Sequence, residues 1–180
     1  ASSDPLPQRP CAVPGLIPKD AGTPRPPRVA GREFLAFQVG SLVVSPDSRL
    51  LAWAEDSVGR RQYTLRIKNL DTGEVLADAV PNVESNIAWA ADNRTLLYIA
   101  KDPTTLLGDT VRKHVLGTDP AKDPLVYEQQ DKSFYTGVGV TKDEEYLTIV
   151  SHSTVSTEVQ VARANDPALA HNDGRVVRTE

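Results

Sequence analysis

The residues able to act as nucleophile, base or metal ligand are few and poorly grouped. Three histidines, His114, His152 and His171, and one cysteine, Cys11, are spread over 180 residues. Ser151-His152-Ser153 sets hydroxyls beside an imidazole, the residue types that make an activated serine. Neighbours on a strand point to opposite faces, however, so these groups cannot pair directly, and His152 reads as a structural or surface residue. The chain contains no G-x-S-x-G, the elbow that exposes a nucleophile at a strand-to-helix turn. It also lacks H-E-x-x-H, C-x-x-C and a Walker loop, so neither a zinc site nor a phosphate cradle is supported. Asn172-Asp-Gly174 is a turn signal without the other ligand positions of a calcium loop. Asn93-Arg-Thr95 fits a glycosylation acceptor but comes with no secretory signal, so it reads as a chance match. Arg60-Arg61 and Arg112-Lys113 are basic pairs of the kind that solvated strand ends carry. No residue is assigned a catalytic, cofactor-binding or metal-binding role, and no cofactor is expected.

The composition narrows the classes further. Lys and Arg total 20 against 24 Asp and Glu, a formal charge of −4, which offers no basic field to nucleic acid or an anionic membrane. No apolar run approaches the ~18 residues of a spanning helix. A single cysteine rules out an internal disulfide and fits a reducing compartment, so a cytoplasmic setting is expected. Methionine is absent even at position 1, which points to a processed product or a fragment. Eight of the 14 prolines lie between Pro5 and Pro27, and no aromatic residue precedes Phe34. Residues 1–33 are therefore predicted to be a disordered Pro-rich arm or linker, with an organellar transit segment as the alternative.

From Gly31 onward the pattern is that of strands. Leu51 and Trp53, then Tyr63, Leu65 and Ile67, alternate with residues of another character. Leu96–Ile99, Tyr146–Val150 and Val155–Val161 are further runs rich in branched or aromatic residues. Leu106, Leu107, Val111 and Val115 could instead form the stripe of a short helix, interrupted by Gly108. The strand pattern recurs. Ser45-Pro-Asp-Ser-Arg-Leu50-Leu-Ala-Trp53 overlays Ala90-Ala-Asp-Asn-Arg-Thr95-Leu-Leu-Tyr98 and Thr141-Lys-Asp-Glu-Glu-Tyr146-Leu-Thr-Ile149. The shared aspartates, Asp47, Asp92 and Asp143, stand 45 and 51 residues apart, the period of four-stranded propeller blades. Each is expected to cap backbone N–H groups in a tight turn. Strands are predicted near 38–45, 50–55, 62–69 and 74–80, with further blades over about 86–129 and from about 134 onward. The fold class is thus all-β, a partial propeller of three four-stranded antiparallel blades over 34–180. Three blades do not close a ring, so self-association through open edges is expected.

The stretch Val44 to Glu74 resembles the first propeller blade of the oligopeptidase B branch of the prolyl oligopeptidase family of serine peptidases. Its most specific part is Asp56-x-x-Gly59-x-x-x-Tyr63-x-Leu65, followed by Leu70-x-Thr72-Gly73-Glu74. The similarity continues through Trp89–Pro103, His114–Thr118, Val126–Glu128 and Ser151–Thr154, and covers about Arg32 to Pro167. It implies a seven-bladed propeller that caps an α/β-hydrolase domain with a Ser-Asp-His triad and admits short peptides, cleaved after Arg or Lys. The implied partners are that catalytic domain, the remaining blades and short basic peptides as substrate. No such catalytic domain is expected within these residues, so the chain alone should be inactive. From Phe34 onward 15 basic residues face 21 acidic ones, a mild attraction for cationic peptides. The competing reading is a truncated, non-enzymatic module whose open edges bind a protein by strand addition.

Overall fold

The computed structural model describes residues 37–166 and 176–179, so the proline-rich arm, Cys11, His171 and Asn172–Gly174 lie outside the described residues. Blade 1 consists of β1 (Gln38–Val44), β2 (Leu50–Asp56), β3 (Tyr63–Asn69) and the first half of β4 (Val75–Trp89). The second half of β4 opens blade 2, which continues with β5 (Thr95–Lys101), β6 (Gly108–Val115) and β7 (Leu125–Glu128). Blade 3 is β8 (Tyr135–Val140), β9 (Tyr146–His152), β10 (Thr157–Arg163) and β11 (Val176–Thr179). Every pairing is antiparallel and joins strands adjacent in sequence, the order an up-and-down blade requires.

Two expectations are corrected. The first two blades are not separate sheets: β4 runs through from one to the other, so β1 to β7 form one seven-stranded sheet. Its register shifts near Val83, where the strand changes partners from β3 to β5. The proposed helical stripe is absent as well. Val111 and Val115 sit on β6, while Leu106 and Leu107 lie in the preceding loop, where Leu106 takes φ 60°. Gly108 begins the strand and lies so near β4 that a Cβ there would stand 2.6 Å from Glu84 Cγ. Pairing with β5 from Thr110 to Val115 holds this segment extended in spite of the apolar spacing.

The core lies between blades. Ala52, Ala54, Tyr63, Leu65 and Ile67 of blade 1 pack on Ile87, Trp89, Leu96 and Tyr98 of blade 2. Leu97, Ile99 and Val111 of blade 2 pack on Val138, Leu147 and Ile149 of blade 3. Residues Thr95 to Ile99 are therefore buried on both faces, which is why β5 reads as a continuous apolar run and not an alternation. In β2 the small residues Ala52 and Ala54 turn toward blade 2, while Leu51 and Trp53 occupy the other, partly exposed face.

Polar contacts then fix the angle between blades. Trp89 Nε1 donates to the Val43 carbonyl at 3.1 Å, Asp47 N–H to Asn93 Oδ1 at 2.9 Å, and Ala91 N–H to the Ala164 carbonyl at 2.9 Å. Val138 N–H donates to Asn86 Oδ1 at 2.5 Å, tying the inner strands β4 and β8 together. The inner strands β1 and β4 meet so closely that a Cβ on Gly40 would lie 2.5 Å from Ser85 Cβ. We expect Gly40→Ala to destabilise the domain by about 1–3 kcal/mol, the usual range for overpacking, measured by urea unfolding. Unchanged stability would mean that these strands can move apart freely.

Candidate functional site

The aspartate repeated at each inner turn has the capping role the sequence predicts. Asp47 Oδ1 accepts from Arg49 N–H and from the Ser45 hydroxyl, Asp92 Oδ1 from the Arg94 and Thr95 N–H groups, and Asp143 Oδ1 from Glu145 N–H and the Thr141 hydroxyl. In all three turns the following residue, Ser48, Asn93 or Glu144, adopts a positive φ near 60°. Hydrogen bonds from Ser45 and from Thr141 hold Asp47 and Asp143 below the ordinary carboxylate range. For Asp92 burial works the other way but is outweighed by Thr95 and the two backbone donors.

The most specific motif in the chain proves to be an anion nest. Asp56 is fully buried, and its carboxylate accepts from Val58, Gly59 and Arg61 N–H at 2.8, 2.8 and 2.7 Å. Gly59 at φ 80° and Arg61 at φ 55° supply the left-handed backbone that turns those donors inward. Burial disfavours the charge, yet the backbone donors prevail and keep this carboxyl below its usual range. Tyr63 and Leu65 complete the motif as core residues. Its folded pKa being depressed, Asp56 contributes stability that is present above the unfolded value of about 4 and fades as pH falls through the lowered folded value. Asp56→Asn should cost about 1.5–3 kcal/mol, because an amide nitrogen would face a backbone donor. It should also flatten the acid limb of stability below about pH 5. An unaltered limb would remove Asp56 from the fold's acid sensitivity.

The largest polar cluster was not legible in the sequence. His114 is fully buried on β6, its Nδ1 3.0 Å from both Asp123 oxygens and its Nε2 3.1 Å from Asp78 Oδ1. The Tyr98 hydroxyl donates to Asp123 at 3.0 Å, Gly117 N–H to Asp78 at 2.6 Å, and Arg112 to the Asp123 carbonyl at 2.7 Å. Burial, then the Asp123 charge, pushes the Tyr98 phenol up, so it remains a donor. These partners come from β4, β5, β6 and the residue closing a short 3-10 turn at Pro120–Lys122, positions separated by up to 45 residues. Sealed from solvent, His114 cannot reach a substrate proton; it clamps the outer strands of blades 1 and 2. Asp123→Asn should cost about 3–5 kcal/mol, the range for removing one partner of a buried pair. Tyr98→Phe should cost less, since both carboxylate–imidazole contacts survive; equal losses in thermal unfolding would contradict this hierarchy.

The other singled-out residues separate. Ser151 is buried with its Oγ 3.4 Å from Tyr127 Oη, while His152 is exposed and lies against the Tyr135 ring at 5.6 Å. Ser153 Oγ accepts from the Val155 and Ser156 N–H groups in the next hairpin. Arg60 and Arg61 form no ion pair among the described residues and rim a cleft of about 640 Å³ that also holds Glu84, Lys101 and Lys132. A second cleft, about 540 Å³, opens at the other end of the inner strands between Leu42, Trp89 and Val140. Among the described residues no group of three or more His, Cys, Asp or Glu is placed to hold a metal ion, and no helix is long and apolar enough to cross a membrane.

Stacked four-stranded antiparallel blades with an acidic cap at each inner turn define a partial β-propeller. Residues 30–179 match the model of the prolyl oligopeptidase N-terminal β-propeller domain, so the chain belongs to that family and supplies part of that domain. It is 51% identical over 140 residues to dipeptidyl aminopeptidase BI of Pseudoxanthomonas mexicana, covering 78% of this chain and 19% of that protein. Protease 2 of Moraxella lacunata is 28% identical over 130 residues, covering 69% and 18%. Oligopeptidase B from Leishmania major superposes with a TM-score of 0.70 at 27% identity, over 75% of this chain and 19% of that one. The chain thus spans about a fifth of the length of these relatives, in which the propeller is one part of a larger peptidase.

Proposed function

We propose that residues 34–180 are the first three blades of the propeller of a serine-type oligopeptidase, that residues 1–33 are a linker, and that the triad belongs to another part of the polypeptide. The propeller's task is steric: it covers the catalytic domain and admits short peptides, cleaved after Arg or Lys, in the cytoplasm. The observation that carries this reading is the open arc. Blade 2 is covered on both sides, but the outer face of blade 1 leaves Val39, Leu42, Trp53 and Val75 around an almost wholly apolar hollow. Such a face needs a further blade. The 51% identity to a dipeptidyl aminopeptidase favours a second reading of the product, in which dipeptides are released from a free amino terminus.

Both readings are tested on the whole polypeptide with short Arg-reporter peptides whose amino terminus is free or acetylated, and with a folded protein. The first reading expects turnover of both peptides and none of the folded protein. Turnover of the free-amine peptide alone selects the second. Cleavage of the folded protein at a comparable rate would end the access-limiting role.

A further inference from the structure

One cleft gathers cations that the fold leaves without partners. The opening of about 640 Å³ lies where hairpin 57–62, β4, β5 and the loops entering β6 and β8 converge. Four cationic side chains, Arg60, Arg61, Lys101 and Lys132, line it, in a chain whose formal charge is −4. Only two carboxylates, Glu84 and Asp109, line it with them, and both are engaged. Glu84 Oε1 lies 3.0 Å from Lys101 Nζ, and Asp109 pairs with Lys132. Asp102 and Asp131, in the adjoining loops, accept from the N–H groups of their own turns instead. The two guanidiniums are therefore uncompensated among the described residues. The cleft of about 540 Å³ has Glu144 as its one charged lining residue, so the positive surplus is local.

The backbone beneath the arginines is fixed. Asp56 takes the Arg61 N–H at 2.7 Å, and Lys101, whose side chain is 7% exposed, donates to the Arg61 carbonyl at 2.6 Å. The hairpin thus presents its guanidiniums from a set point, which lowers the ordering cost of binding. A guanidinium is a planar fork that matches a carboxylate bidentately. Thr136 lines the same cleft, and its Oγ1 is the one buried side-chain oxygen or nitrogen without a partner among the described residues. Buried polar atoms are nearly always paired, so an unmade bond at the wall of a cationic cleft points to an oxygen that occupies it. Leu106, Leu107 and Phe134 add an apolar wall beside the charges. We infer that this cleft binds the C-terminal carboxylate of a short peptide, with Arg60 and Arg61 on the carboxylate and the apolar wall on the last side chain. Every peptide carries that group whatever its sequence. A peptide held this way turns its basic residues away from the cleft, because the surplus charge repels them. This inference rests on the proposed function for the peptide nature of its ligand.

The test is calorimetric titration of the whole polypeptide with acetyl-Gly-Gly-Leu, as the free acid and as the C-terminal amide. Neither probe has a basic residue or a free amine, so neither proposed specificity consumes it. The acid should bind at least about tenfold more tightly than the amide, the carboxylate–arginine contacts being the difference. Arg60→Gln with Arg61→Gln removes both guanidiniums, leaves the backbone contacts of the hairpin in place, and should abolish that preference. Thr136→Val should weaken acid binding by about three- to tenfold and leave the amide unchanged. Equal binding of acid and amide, or a preference that survives the double substitution, would overturn the inference. Inorganic phosphate bound at the arginines with no binding of the acid would also overturn it, because the ligand would then not be a peptide. Titration does not depend on turnover. An arginine-dependent preference in a polypeptide that cleaves no peptide would defeat the functional reading and leave the site standing; an active polypeptide without the preference would do the reverse.

Discussion

The fold depends on apolar burial between sheets. A four-stranded blade has two faces and too little material to cover either, so each must lie against a neighbour. Blade 2 shows the consequence, with Leu96 and Tyr98 turned to blade 1 and Leu97 and Ile99 to blade 3. Burying one such side chain is worth about 1.5–3 kcal/mol. The exposed Arg49–Asp71 pair on the rim contributes about 0–1 kcal/mol by comparison. Stacking therefore decides that the blades assemble, and surface charge decides little.

Polar groups set how they assemble. Apolar faces slide, whereas Trp89 on the Val43 carbonyl and Asn93 on the Asp47 amide accept one geometry each. The turn of blade 2 thus has two roles, closing its own hairpin through Asp92 and reaching blade 1 through Asn93. Asn93 illustrates the point: as a glycosylation acceptor it looked accidental, yet its side chain takes the Asp47 amide across the blade boundary. The His114 cluster does the same work at the outer edge, where strand β7 is short and the apolar contact thins.

The blade period, the capping aspartates and the family motif were all legible because they are local. An Asp two residues before a backbone donor, or a Gly three residues after Asp56, needs only a few covalent bonds to define its geometry. The pairing of Asp78 with His114 and Asp123 was not legible, since nothing within a strand specifies which polar residue of another strand will face it. The same limit hid the fusion of blades 1 and 2 through β4, because the first half of that strand pairs with β3 and the second with β5, partners that lie in different blades. It also made Leu106 and Leu107 look like part of a helix.

By itself, then, the sequence determined the repeat, its turns and the all-β class, since hydrogen-bonding partners two or three residues apart and a two-residue side-chain period are properties of the chain. Only the tertiary structure decided which face of each blade is covered, which histidine is sealed between two carboxylates, and which loops bring four cations around one cleft. Those outcomes follow from the stacking of whole sheets, in which residues far apart in sequence become neighbours.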